Sequence, residues 1–375
     1  MSAEYRFLEE DAYFAASNSR KGFYSYYEHC FRHRVDCLYC IKGGPGTGKS
    51  TLMRKAAKRG ESLGFRVEYY YCSSDPDSLD AVLFFGGRHS VGLLDATSPH
   101  PMEPILPGVE EEIIDLGRFW NSELLCQSHD EIVTLNDQKS AAYRDAYRWL
   151  RGAGEASDVL RDGVKCCLNE SKMLRTARRL MQNSVVKTQG EEQIGIALFD
   201  SIGMSGRVRL DSYLRAAERI CLIEDYLDTA YFLTAELARI SSERGQNRRL
   251  SYHPVLPDRI DTVFLPGSRT VFSVCDASQT DLLKSRFPHS RIVEMRRMVL
   301  PECIRTHRAT HRATHRATLR AAQKLRDTLL QRAADSLSLV GKAHFKLEKI
   351  YSAAMDFEAK EAYTEEILDR MFSMK

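Results

Sequence analysis

Residues 43–50 read GGPGTGKS, which fits G-x-x-x-x-G-K-[ST], the spacing of a loop that wraps phosphate groups. Gly43, Gly46 and Gly48 leave room for backbone N–H groups to turn inward toward phosphate oxygens, with Gly44, Pro45 and Thr47 completing the loop. Lys49 supplies a mobile point charge for the outer phosphates, and the Ser50 hydroxyl is a ligand for Mg2+. Thr51 is placed to contact the innermost phosphate. An apolar stretch, VDCLYCI (35–41), precedes the loop, and KSTLMRKAAKRGESLG (49–64) follows with the pattern of a basic amphipathic helix. That context suits the chemistry, because a helix N-terminus adds its dipole to an anion site. The expected ligands are ATP and Mg2+.

A Mg2+ ion held this way needs an acid at the end of a neighbouring apolar strand. Asp95, closing SVGLLD, is the candidate, and it also suits a turn cap before ATSPH. Ala96 follows it, so a catalytic base has to come from elsewhere. Asp75 and Asp77 in SSDPDSLD follow the second expected strand; Asp77 is taken as the candidate to orient water or an acceptor hydroxyl, although Asp-Pro-Asp also makes a good turn. His100 is a loop residue that could assist proton transfer. Glu110, Glu111 and Glu112 suit a helix N-terminus.

These side chains need a scaffold. Strands are expected at 35–41, 65–72 and 90–98, and helices at 21–34, 49–64, 109–120 and through 128–186. Strand and helix alternate, which predicts an α/β fold: a three-layer P-loop NTPase architecture with a parallel sheet between helices. The pattern then starts again. Sliding residues 69–98 onto 250–279 gives nine identities, among them Asp80 with Asp261, Arg88 with Arg269 and Asp95 with Asp276. An internal duplication is expected, with one half at 1–188 and the other at 189–375, each closed by a long helical extension. At this offset Gly43 falls on Glu224, Gly46 on Leu227, Gly48 on Thr229, Lys49 on Ala230 and Ser50 on Tyr231. The phosphate-binding residues are gone, so one nucleotide per chain is expected. Arg269 or Arg88 could act as an arginine finger between halves, and Asp276 reads as a relic or a cap.

The net charge of +3 over 375 residues is too small to imply a nucleic-acid partner. No stretch is apolar enough to suggest a membrane span, and MSAEYRFLEEDAYF carries acids where a signal peptide needs a basic start, so a cytoplasmic protein is expected. Cys37 and Cys40 sit three apart on an expected strand and point to opposite faces, which argues against a shared metal. THRATHRATHRAT (306–318) is a four-residue repeat whose His307, His311 and His315 read as an exposed, slippage-lengthened helix.

The series KGFYSYY, IKGGPGTGKSTLM, YYYCSSDPDSLDAV, VGLLDATSPH and PGVEEEIIDLG resembles a family of uncharacterised bacterial P-loop ATPases with two similar halves in one chain. The resemblance is densest over 12–125 and implies ATP binding without a substrate. Members of that family can carry a second phosphate loop, from which this sequence departs. The expected activity is ATP hydrolysis at the first loop. A small-molecule or nucleotide kinase is the alternative, with the Pro-rich 99–108 segment as a lid, and a slow, nucleotide-gated protein that captures a protein or small-molecule partner is a further one.

Overall fold

A computed structural model describes residues 3–99, 101–182, 184, 193–300 and 309–373, with side chains from 317 onward in the last segment. The first half runs β1 (Glu4–Arg6), β2 (Asp11–Phe14), β3 (Ala16–Ser19), β4 (Gly22–Ser25), α1 (Tyr27–Phe31), β5 (Cys37–Lys42), α2 (Lys49–Ser62), β6 (Arg66–Tyr71), β7 (Leu79–Phe85), β8 (Val91–Asp95) and β9 (Glu111–Asp115). Three helices follow: α3 (Ser122–Gln127), α4 (His129–Lys165) and α5 (Glu170–Gln182). The second half runs β10 (Ile194–Ile196), β11 (Asp200–Gly203), β12 (Gly206–Leu210), α6 (Ser212–Ala216), β13 (Arg219–Glu224), α7 (Ala230–Glu243), β14 (Arg248–Tyr252), β15 (Ile260–Leu265), β16 (Thr270–Cys275), α8 (Thr280–Arg286) and β17 (Arg291–Glu294). It closes with α9 (Ala309–Ala353) and α10 (Phe357–Ser373).

The fold is α/β, but the sheets are mixed rather than parallel. The first has the order β2-β6-β7-β8-β5-β9, with β7 antiparallel to both neighbours and the other pairs parallel. The reason is connection length: residues 72–78 and 86–90 are too short to carry a crossover helix. The second sheet has the order β10-β14-β15-β16-β13-β17 with the same pattern of directions. Even an irregularity is shared, at Tyr70/Tyr71 and at Ser251/Tyr252. The offset of 181 does not hold throughout. Val82 faces Leu93, whereas Val263 faces Phe272, two residues earlier than that offset requires.

Two expected helices take other forms. Residues 21–34 supply the hairpin strand β4 and only a five-residue helix. The segment expected as an acidic helix at 109–120 supplies β9 and a short 3-10 turn. Buried Glu111 accepts N–H groups from Ile105 at 2.6 Å and Leu106 at 2.8 Å and pairs with Arg32 at 2.7 Å. These bonds hold the chain extended on the sheet edge instead of opening a helix.

The halves meet about an approximate twofold axis. Phe14 and Leu198 exchange backbone hydrogen bonds at 2.6 and 2.9 Å. Glu68 on β6 and Arg249 on β14, equivalent positions of the two sheets, pair with each other at 3.2 Å. Helices α4 and α9 lie antiparallel: Leu135 packs with Leu347, Leu150 with Leu337, and Leu160 with Leu319. Beyond them the halves exchange their last helices. The second half's α10 docks on α2, where Lys55 pairs with Glu361 and Glu365 and Arg59 with Asp369, and where Phe372 packs on Phe65 and Phe84. In return α5 of the first half lays Met173, Ala177 and Leu180 against Leu233 and Leu237 of α7. No helix is long and apolar enough to cross a membrane among the described residues.

Candidate functional site

The loop 43–48 joins β5 to α2. Gly46 (φ +73°) and Gly48 (φ +78°) lie in the left-handed region that residues with a Cβ adopt only under strain. Gly48 is the N-cap of α2, and no side chain caps the helix there. The Lys49 ammonium folds back to donate to the carbonyls of Gly43 and Gly44, each at 2.8 Å, and lies 3.5 Å from Asp95 Oδ2. Asp95 ends β8 beside β5, facing Ile41. Its Oδ1 accepts from the Thr97 N–H at 2.9 Å and from the Thr97 hydroxyl, which leaves Oδ2 for Lys49. The Ser50 hydroxyl accepts the Leu79 N–H at 3.0 Å and keeps its other lone pair. Thr47 closes the loop by donating to the Gly44 carbonyl at 3.0 Å.

This loop floors a cavity of about 1170 Å³ whose walls come from both halves. From α4 come Lys139, Tyr143 and Tyr147; from α9 come His344, Glu348 and Ser352, again four residues apart. The α9 contact is direct: Ser352 donates to the Gly46 carbonyl at 3.1 Å, and a Cβ on Gly46 would fall 2.5 Å from the Glu348 carbonyl. Trp120 covers Gly44 and packs against Tyr351, with ring centres 5.4 Å apart. Met204, between β11 and β12, reaches the same space. Tyr143 donates to the Ser74 hydroxyl at 3.2 Å and Tyr147 to Asn18 Oδ1 at 3.0 Å, tying α4 to the strand ends.

The structure brings Gly43, Gly44, Pro45, Gly46, Thr47, Gly48, Lys49, Ser50, Thr51 and Asp95 together at this cavity. It does not bring Asp77. That carboxylate is mostly exposed and pairs with Arg6 at 2.7 Å, outside the cavity lining. Asp75 does line the cavity, and its Oδ2 accepts the Ser78 hydroxyl at 2.6 Å. The residue that sequence reasoning passed over is Asp80, buried on β7 and part of the lining. Its identity with Asp261 across the two halves was the signal. Arg88 is exposed and Arg269 pairs with Glu218 at 2.6 Å; neither lines the cavity, so neither serves as an arginine finger within the chain. His100 and residues 306–308 lie outside the described residues, as do the side chains of the rest of the His-Arg repeat through Arg316.

The corresponding loop of the second half, 225–229, is one residue shorter and encloses a cavity of only about 60 Å³. Asp225 explains why. Its carboxylate accepts the Asp228 N–H at 3.0 Å and the Ala230 N–H at 2.8 Å, so an acid of the chain itself takes up loop amides. Burial and then Asp228 push its pKa up, against those two N–H donors. Asp228 is held by Arg326 at 2.7 Å and Arg259 at 3.3 Å, while Arg207 clasps Asp200 and Arg209 clasps Asp261. Asp276 does not stand at the strand end like Asp95; it follows β16 and makes a capping box with Gln279.

Searches against family models, curated proteins and solved structures match nothing to this chain.

Proposed function

We propose that the chain binds Mg·ATP at the Gly43–Thr51 loop and hydrolyses it, with one such site per molecule. The observation that carries this reading is the placement of Lys49, 3.5 Å from Asp95 and curled over the loop carbonyls, at the floor of a cavity large enough for a nucleotide. The residues fit the group. Glycine φ angles open the loop, the N-terminus of a 14-residue helix faces it, and Ser50 with Asp95 supplies the two hard oxygen ligands that a Mg2+ shared with phosphates takes from protein. Bound Mg2+ would supply Lewis-acid stabilisation of charge on the phosphates. Lys49 would release the Gly43 and Gly44 carbonyls to meet the outer phosphates, while Thr97 holds the Asp95 carboxylate in place.

In this reading the chain is a P-loop fold duplicated internally, supported by the matching strand order, directions and irregularity of the two sheets. The second loop carries its own carboxylate and takes no nucleotide. Titration calorimetry with ATP and Mg2+ is expected to give one equivalent per chain, with Lys49→Ala lowering turnover by about 10²-fold or more. Two equivalents, or a Lys49→Ala variant that binds and turns over like the parent, would refute it.

One observation favours a second reading, transfer to an acceptor. The cavity exceeds the roughly 300–1,000 Å³ common for small-molecule sites, and Asp75 and Asp80 line it. A phosphorylated product from a metabolite mixture would decide for a kinase, and ADP with free phosphate alone would decide for hydrolysis.

A further inference from the structure

The cavity receives a cation from an element that no motif marks. On α4, Lys139 shares a face with Tyr143 and Tyr147 and lines the space above the loop. Among the described residues it has no acceptor within hydrogen-bond or ion-pair reach, and burial lowers its pKa. The acids that line the cavity are differently placed, each beside a donor. Asp75 has the Ser78 hydroxyl, Asp95 has Thr97, Asp115 has the Gly117 N–H at 2.8 Å, Glu348 has His344 at 3.5 Å and Asp80 lies against the Tyr27 hydroxyl. A partly desolvated ammonium without an acceptor, in a cavity whose acids are engaged, suits an incoming anion.

In the second half a cation from a long helix does meet the loop, where the anion is built in. There the long helix is α9, and its Arg326 reaches 2.7 Å to the Asp228 carboxylate in the loop before α7. A cation from the long helix thus meets a negative charge at the loop.

We propose that Lys139 is the equivalent cation of the first loop, a phosphate-contacting residue that reaches the terminal phosphate of a bound nucleoside triphosphate. This rests on the ATP reading above. It makes α4 sensitive to the state of the nucleotide, because a diphosphate has no group for Lys139 to hold. A charge-assisted hydrogen bond of about 1.5–3 kcal/mol corresponds to roughly 10- to 100-fold in affinity.

The test is to measure ATP and ADP affinities, each with Mg2+, for the full chain and for Lys49→Ala, Lys139→Met and Lys139→Arg, followed by single-turnover rates. Lys139→Met keeps the apolar stem, so packing is retained; thermal melts of each variant check this. The expected result is that Lys139→Met weakens ATP by about 10-fold or more, leaves ADP within about twofold, and slows any turnover by about 10²- to 10³-fold, with Lys139→Arg recovering part of the ATP preference. ATP and ADP weakened equally, or ATP binding unchanged, would overturn the assignment of Lys139. If Lys49→Ala abolishes binding while Lys139→Met matches the parent, only this proposal falls. If the parent binds no nucleotide, the ATP reading falls and takes it along.

Discussion

Asp225 is the residue that separates the two loops. A single carboxylate, joined covalently to the loop it fills, accepts two backbone N–H groups and leaves little space behind. Around it the charges are dense, and His253 reports them. Its Nδ1 accepts the N–H groups of Val255 and Leu256 at 3.1 and 3.2 Å, which requires a neutral ring. Burial, followed by Arg207, Arg259, Arg209 and Arg326, holds its pKa well below the usual 6.5. The folded protein therefore refuses a proton that the unfolded chain accepts below about pH 6.5. The contribution of this residue to stability is complete above that pH and falls below it, by at most about 1.4 kcal/mol per pH unit. Asp225 and Asp261, pushed up to about 6 by burial, act with the opposite sign in this range, so the test is the difference between variants. Urea unfolding at pH 7.5, 6.5 and 5.5 is expected to lose less stability on acidification in His253→Asn than in the parent; an unchanged pH dependence in the variant would count against the assignment. At this scale the sequence was half informative. The glycines, Lys49 and Ser50 were legible because a loop motif fixes backbone and side chain together, and Asp95 because it closes an apolar strand. Asp77 and Asp80 were not separable, since a turn and a strand three residues apart offer acids with no pattern to say which faces inward.

Among the elements, α2 and the loop before it were readable from local chemistry: apolar strand, glycines, basic amphipathic helix, and Gly64 after the last turn. The strand β7 was not, because its run, buried through Phe84, lacks alternation and sits between two short turns. The acidic run at 110–112 misled for a related reason. Its role depends on Arg32 and on the amides of Ile105 and Leu106, partners that no local pattern displays. Contact of the loop with α9, some 300 residues later, was equally hidden, and it sets a constraint on Gly46. Gly46→Ala adds a Cβ at a left-handed φ and drives it into the Glu348 carbonyl, so α9 has to shift. The backbone conformation alone costs about 1–2 kcal/mol. The expected outcome is a lower urea midpoint together with weaker ATP binding. Normal stability and normal binding would show that α9 does not bear on the loop.

For the whole molecule, the exchange of α5 and α10 means that neither half contains its own complete core. Fragment 1–188 lacks the helix that covers α2 and Phe84, and fragment 189–375 lacks the one that covers α7. Expressed separately, each fragment is expected to be aggregation-prone; expressed together, they are expected to copurify as a one-to-one complex, checked by size-exclusion chromatography and light scattering. Soluble, monomeric fragments would contradict the exchange. Glu68 and Arg249 add a rule about which fragments can join. At a twofold axis, equivalent residues face each other, so two copies of the first half docked this way would press Glu68 against Glu68. Here Glu68 is buried, and despite the cost of burial Arg249, Arg34 and Arg66 hold its pKa down to about 2. Without Arg249 across the axis, each copy would bring a buried carboxylate, held only by its own Arg34 and Arg66, toward its twin. Two second halves would bring arginine toward arginine. Like charges at such a place cost several kcal/mol and serve to reject wrong partners. One ion pair across the axis therefore favours the joining of unlike halves, with Arg34 and Arg66 still beside Glu68 in either case.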